Sequence, residues 1–90
     1  EEARIMGLVN RVVPQGEVED AARQMAETIA GNAPMTVDSV KFIVGQTVRP
    51  EAERDLDTCD AMVKACFASR DYAEGRRAFL EKRAPNFVGA

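Results

Sequence analysis

The densest grouping of chemically capable side chains lies near the end of the chain, in and just before AFLEKRAPNF, residues 78–87. Arg76, Phe79, Lys82 and Arg83 recur at spacings of three and four, which on a helix puts them on one surface, with Arg77 adding charge beside them. An aromatic ring flanked by cations can hold a phosphorylated, ring-bearing ligand, with lysine as a point charge on phosphate. The same residues suit a plain helix end. Cations near the last carbonyls gain about 0.3–1 kcal/mol from the helix dipole, and Phe79 and Leu80 suit a core. Spacing alone favours the dipole-and-solvation reading.

Other chemistries find less support. Ser39 and Ser69 have no histidine to activate them, because the chain has none. The carboxylates Glu51, Glu53, Asp55, Asp57 and Asp60 crowd together. On a helix Asp57 and Asp60 share a face and Asp55 turns away. Acid–base work needs a carboxylate in a desolvated cleft. A position opposite Leu56 and Cys59 makes these a solvated face instead. Cys59 and Cys66 would stand about 10.5 Å apart along a helix axis, beyond the roughly 7 Å that a disulfide spans. Two cysteines without histidine make a poor zinc site, so no metal is expected. They read as small buried apolar residues. Free thiols fit a reducing cytoplasm. The glycines are scattered and form no phosphate loop.

These side chains need elements to hold them. Glu1 to Met6 reads as the end of a helix, with Gly7 just past its last residue. Residues 8–13, LVNRVV, are short and β-branched and predict a strand, ended by Pro14 and Gly16. That strand has no partner in the rest of the chain, and its backbone groups require one. Glu17 to Ala30 is an amphipathic helix carried by Val18, Ala21, Ala22, Met25, Ala26 and Ile29, and stopped by Gly31-Asn32. Pro34 opens the next helix, whose expected apolar stripe is Val37, Val40, Val44 and Val48 with Ile43 beside it. A long helix is expected from Glu51 to Ser69, with a seam of Leu56, Cys59, Val63, Cys66 and Phe67. Asp71 reads as the cap of a last helix from Tyr72 to Arg83, with Glu74 three residues on.

Composition bounds the whole. Ninety residues make at most one domain, and such a chain buries a modest core. Hydrophobic residues are 46% of it, but the only aromatic ones are Phe42, Phe67, Tyr72, Phe79 and Phe87. Alanine, valine and methionine must therefore do most of the packing, at about 25 cal/mol per Å² buried. A partner or companion domain is expected. The net charge of −3, from 12 basic and 15 acidic residues, argues against nucleic acid. No apolar run approaches the roughly 20 residues that span a bilayer. The opening Glu1-Glu2-Ala3-Arg4 shows no secretory leader pattern and no Met, which reads as a processed chain, a trimmed one or a fragment.

Three stretches together resemble the C-terminal portion of the enoyl-CoA hydratase/isomerase (crotonase) superfamily. They are EEARIMGLVNRVVP at 1–14, AETIAGNAPMTVDSVK at 26–41 and CFASRDYAEGRRAFLEKRAPNFVG at 66–89. They run in order over nearly the whole chain, and the last block is the most specific. The resemblance implies a mostly α fold: the C-terminal helical, trimerisation region, with four helices plus one short strand near the N-terminus. Residues 1–16 would join a spiral core that precedes them, and 17–90 would form the oligomerisation and CoA-contact region. Phe79 would border the acyl or pantetheine part of a CoA ester, and Lys82 would meet its phosphate or adenine end.

The implied function is that of a C-terminal part of a lyase acting on acyl-CoA thioesters, with hydration of 2-enoyl-CoA foremost. Isomerase, decarboxylase and hydrolase members share this region. Catalytic groups, an oxyanion hole of two backbone N–H donors and two glutamates that move water and a proton, would lie upstream of Glu1. The 90 residues alone would then be inactive. The CoA thioester is substrate, and no separate cofactor is implied. The expected partner is a second copy, in a homotrimer or dimer of trimers, in the cytoplasm, with no nucleic acid and no membrane. The alternative is a stand-alone helical acyl-CoA-binding or oligomerisation module without catalysis.

Overall fold

The computed structural model describes all residues, 1–90, and is built from helices alone. The first, α1 (Glu2–Ile5), is a single turn. Gly7 closes it at φ 77. The Gly7 N–H donates to Arg4 O and the Leu8 N–H to Ala3 O, the paired bonds of a left-handed helix stop. The strand expected over 8–13 does not form. The only backbone N–H groups in that segment that bond are those of Leu8 and Val9, and both go to Ala3 O. A strand exists by pairing, and no second extended segment lies within reach in these 90 residues.

Helix α2 (Val18–Ala30) matches its periodicity and buries none of its residues. Its C-terminus is closed by Asn32, whose Nδ2 donates to Thr28 O at 2.7 Å and to Ile29 O at 3.4 Å. Helix α3 (Pro34–Thr47) begins on its proline, as expected. Its packed face is not the valine stripe. Val40, Val44 and Val48 are exposed, and of the expected stripe only Val37, with Ile43 beside it, is half-buried. Ser39 and Gln46 are buried and Met35, Phe42 and Ile43 half-buried, at the i, i+4, i+7 spacing of a single face. This helix carries two apolar faces, and α4 covers one of them.

The long helix expected from Glu51 is broken in two. Glu51–Glu53 is a 3-10 turn, and α4 runs from Leu56 to Ala68. Asp55 starts α4 by accepting the Thr58 N–H at 3.0 Å and the Thr58 hydroxyl at 2.6 Å, which is the duty of an N-cap. The hydroxyl, then the amide, of Thr58 hold the Asp55 carboxyl below its usual range. The buried Gln46 Oε1 accepts the Asp55 N–H at 3.0 Å and fastens this corner to α3. Of the expected seam, Cys59 and Cys66 are half-buried, whereas Leu56, Val63 and Phe67 are exposed.

Helix α5 (Arg70–Glu81) packs on α4. Its cap is Ser69, not Asp71: Ser69 Oγ accepts the Tyr72 N–H at 3.0 Å and donates to Cys66 O at 2.6 Å. One residue thus ends α4 and begins α5. The helix stops at Glu81 rather than Arg83, because Lys82 turns left-handed at φ 53.

Only Ser39, Gln46, Asp71 and Ala78 are buried, and one of the four is apolar. The radius of gyration is 17.0 Å, against about 12 Å for a compact chain of this length. The molecule is 43 × 43 × 17 Å, a plate rather than a sphere. Apolar side chains on every helix therefore remain open to contact. No helix is long and apolar enough to cross a membrane.

Candidate functional site

The α4–α5 corner at Ser69 splays two helices around a groove of about 660 Å³. Val63, Cys66 and Phe67 line it from α4, Tyr72, Phe79 and Leu80 from α5, and Phe87 from the tail. Phe67 and Tyr72 meet edge to face, with ring centroids 5.0 Å apart at 73°. The Arg76 guanidinium carbon lies 5.9 Å from the Tyr72 ring centroid, within cation–π range. The Cys66 thiol lies 3.6 Å from Ser39 Oγ on the facing helix. Both cysteines are free. A groove with aromatic walls, one cation at its edge and an open side is shaped for an elongated, partly apolar ligand or for a packed neighbour.

Phe79 is 83% exposed and still lines the groove, so its ring stands at the open side. Arg76 lines the groove with it. Lys82 and Arg83 do not, and the single cationic surface expected from i+3 and i+4 spacing is divided. The reason is local. Helical geometry ends at Glu81, so spacing no longer dictates direction beyond it.

Arg83 turns to a smaller polar hollow of about 340 Å³ that Arg70, Asp71, Glu74, Arg77 and Asn86 also line. Its Nη1 donates to Glu74 Oε1 at 2.6 Å and its Nη2 to Glu74 Oε2 at 3.1 Å, a bidentate fork. Arg77 adds a looser contact to Glu74 at 3.4 Å. The Arg83 fork first, then the Asn86 N–H, hold the Glu74 carboxyl down at about 2. Glu74 first and Glu81 second push the Arg83 guanidinium up.

Lys82 makes no ion pair. Its left-handed backbone is completed by the Lys82 N–H on Phe79 O at 3.3 Å and the Arg83 N–H on Ala78 O at 3.0 Å. Glycine is the usual residue there, and a side chain costs about 1–2 kcal/mol. That conformation leaves an unpaired lysine at the end of α5.

The largest fully buried side chain, Asp71 at 2% exposure, escaped sequence reasoning in its actual role. Its two carboxylate oxygens accept the N–H groups of Val88 and Gly89, each at 2.8 Å. Those partners lie 17 and 18 residues away. No local spacing signals them. Ser69, two residues before the expected cap, was findable as a preferred N-cap type.

The chain is thus an open helical plate with an aromatic groove and a lysine without an ion-pair partner at a helix end. The family model for enoyl-CoA hydratase/isomerase matches residues 1–90, and the chain belongs to that family. It is 38% identical over 90 residues to a methylmalonyl-CoA decarboxylase of Escherichia coli, covering 97% of this chain and 34% of that protein. It is 40% identical over 87 residues to an enoyl-CoA hydratase of Mycobacterium tuberculosis, covering 96% and 32%. Among solved structures it is similar to an enoyl-CoA hydratase from Mycobacterium tuberculosis, with TM-score 0.84, 32% identity, and 98% and 35% of the two chains covered. The chain spans about a third of the length of these relatives.

Proposed function

We propose that these residues are the C-terminal helical region of a lyase acting on acyl-CoA thioesters, with hydration of a 2-enoyl-CoA as its reaction. In this reading α2–α5 pack against other copies of the chain, in a trimer or dimer of trimers. Residues 1–16 join the remaining core. Phe79 borders the acyl or pantetheine portion of the ester, and Lys82 meets the phosphate end. The chemistry belongs to residues outside 1–90, and the 90 residues alone do not turn over.

The observation that carries the reading is the end of α5: an exposed Phe79 at the mouth of an apolar groove, followed within one turn by a lysine with no ion-pair partner. Relatives that are a hydratase, a carnitinyl-CoA dehydratase and a methylmalonyl-CoA decarboxylase have CoA esters in common, which supports the substrate class. The plate-like shape and the shortage of buried apolar residues favour an assembled enzyme over a stand-alone module.

The test is steady-state hydration of a 2-enoyl-CoA by the whole enzyme. Lys82→Ala should raise KM about tenfold and leave kcat nearly as it was, because phosphate contact lies far from the reacting carbons. An unchanged KM with a collapsed kcat would contradict the assignment. Absence of CoA-ester binding, or a monomeric whole enzyme, would sink the reading itself.

A further inference from the structure

The last residues are strapped to α5 rather than free. From Lys82 the chain reverses, and Arg83 forks onto Glu74. Glu74 Oε1 also accepts the Asn86 N–H at 3.0 Å. Phe87 lies over Gly75, where a built Cβ would meet its ring at 3.5 Å. Val88 and Gly89 bond to the two oxygens of Asp71, and the Asp71 N–H donates to Ala90 O at 3.0 Å. The tail thus runs back along α5 from its last turn to its first. Gly89, at φ 77, also abuts Pro34 at the start of α3.

Apart from the Ala90 carbonyl, which takes a first-turn N–H, none of this is needed to end or begin the helix. Ser69 already caps the N-terminus of α5, and the Lys82 and Arg83 amides already take the Phe79 and Ala78 carbonyls at its other end. Two carboxylates are nevertheless committed to the tail. What they impose is the reversal itself, and with it the left-handed Lys82. A lysine holds that conformation only where surrounding contacts over-determine it.

We propose that Asp71 and Glu74 are positioning residues: they bind the tail along α5 and so hold Lys82 in the geometry in which its ammonium meets the CoA ester. This rests on the assignment of Lys82 to the phosphate end of that ester. Asp71 lines the groove, but both its oxygens are taken by the Val88 and Gly89 amides, and Glu74 is held by Arg83 and Asn86. The two carboxylates act through the backbone of residues 82 and 83.

The test uses the whole enzyme with Glu74→Gln, Asp71→Asn, Lys82→Ala and the Glu74→Gln/Lys82→Ala double variant. Amide hydrogen exchange of the ligand-free enzyme should quicken at Lys82 and Arg83 by about tenfold in Glu74→Gln. KM for the CoA ester should rise about fivefold with kcat held. In the Lys82→Ala background Glu74→Gln should add no further rise, because both act on one contact. Unchanged exchange at Lys82 and Arg83, or KM losses that multiply in the double variant, would overturn the proposal. If exchange quickens but Lys82→Ala leaves KM untouched, the strap stands and the ligand assignment beneath it falls. Should Asp71→Asn fail to fold, the less buried Glu74→Gln carries the same test.

Discussion

Arg83 grips Glu74 across nine residues of sequence, its Nη1 and Nη2 each donating to one carboxylate oxygen, and this pairing leaves the neighbouring Lys82 as the unpaired cation of the two. Arg83 also pairs with Glu81, so its charge is spent inside the chain. Of the adjacent cations at 82 and 83, only the lysine remains without an acidic partner. The division follows from geometry. Arginine suits a bidentate fork on a carboxylate, and lysine suits a point contact with an outside anion.

The fork makes stability depend on acid. Arg83, then the Asn86 amide, draw the Glu74 carboxyl down from 4.5 to about 2. In the unfolded chain the group begins to protonate near 4.5, while in the fold it stays charged. Its stabilising effect is therefore complete above that value. It declines as pH falls and is gone below about 2. Thermal melts of wild type and Glu74→Gln should converge on acidification, with the wild-type advantage greatest at neutral pH. Added salt should shrink that advantage, since the pair is partly exposed. Parallel acid limbs in the two proteins would show that the fork contributes nothing.

Ser69→Ala should cost about 1 kcal/mol, the usual loss when an N-cap oxygen disappears. The same hydroxyl donates to Cys66 O, so the change loosens the end of α4 and the start of α5 together. Ser69→Asp keeps the acceptor for the Tyr72 amide and should recover most of the loss. A melting midpoint unmoved by Ser69→Ala would return the capping role to another group.

Helical content was readable in the sequence wherever one apolar stripe met one cap signal. Val18 to Ala30 has both, and its ends fall within a residue of expectation. Pro34 fixes the start of α3 for the same reason. The errors lie where tertiary contact decides. Val40 and Val44 read as a core stripe because hydrophobicity cannot tell which of two apolar faces a neighbour covers. The 8–13 segment has strand composition and no strand to pair with. Asp71 carries an N-cap signature, but Ser69 takes the cap and tail amides 17 and 18 residues on take the carboxylate. Of the candidate site, Phe79 was legible as an aromatic ring beside cations. The split between Lys82 and Arg83 was not, because one left-handed residue ends the helical register that linked them.

The uncovered valine face of α3 gives a direct check on assembly. Val40 and Val44 are 53% and 58% exposed in the 90 residues. If copies of the chain or its remaining core cover them in the whole enzyme, Val44→Glu buries an unpaired charge, at a cost of about 3 kcal/mol or more. Sedimentation should then show dissociation or a lower assembly state. An assembly indifferent to Val44→Glu would mean that this face looks onto water.

Lys82→Gly separates what the residue costs the fold from what it does for a ligand. Glycine adopts φ 53 without the clash that a side chain meets, so the end of α5 should gain about 1 kcal/mol, read as a higher melting midpoint. The backbone reversal and the Glu74–Arg83 fork should survive, since neither needs the lysine side chain. The ammonium is lost, and KM for a CoA ester should rise about tenfold, as in Lys82→Ala. A more stable enzyme that binds its ester less well would mean that the strained lysine is kept for the contact it makes. Gain in stability with unchanged KM would leave the left-handed lysine as a cost with no return at this site, and the phosphate end of the ester would have to be held by another cation.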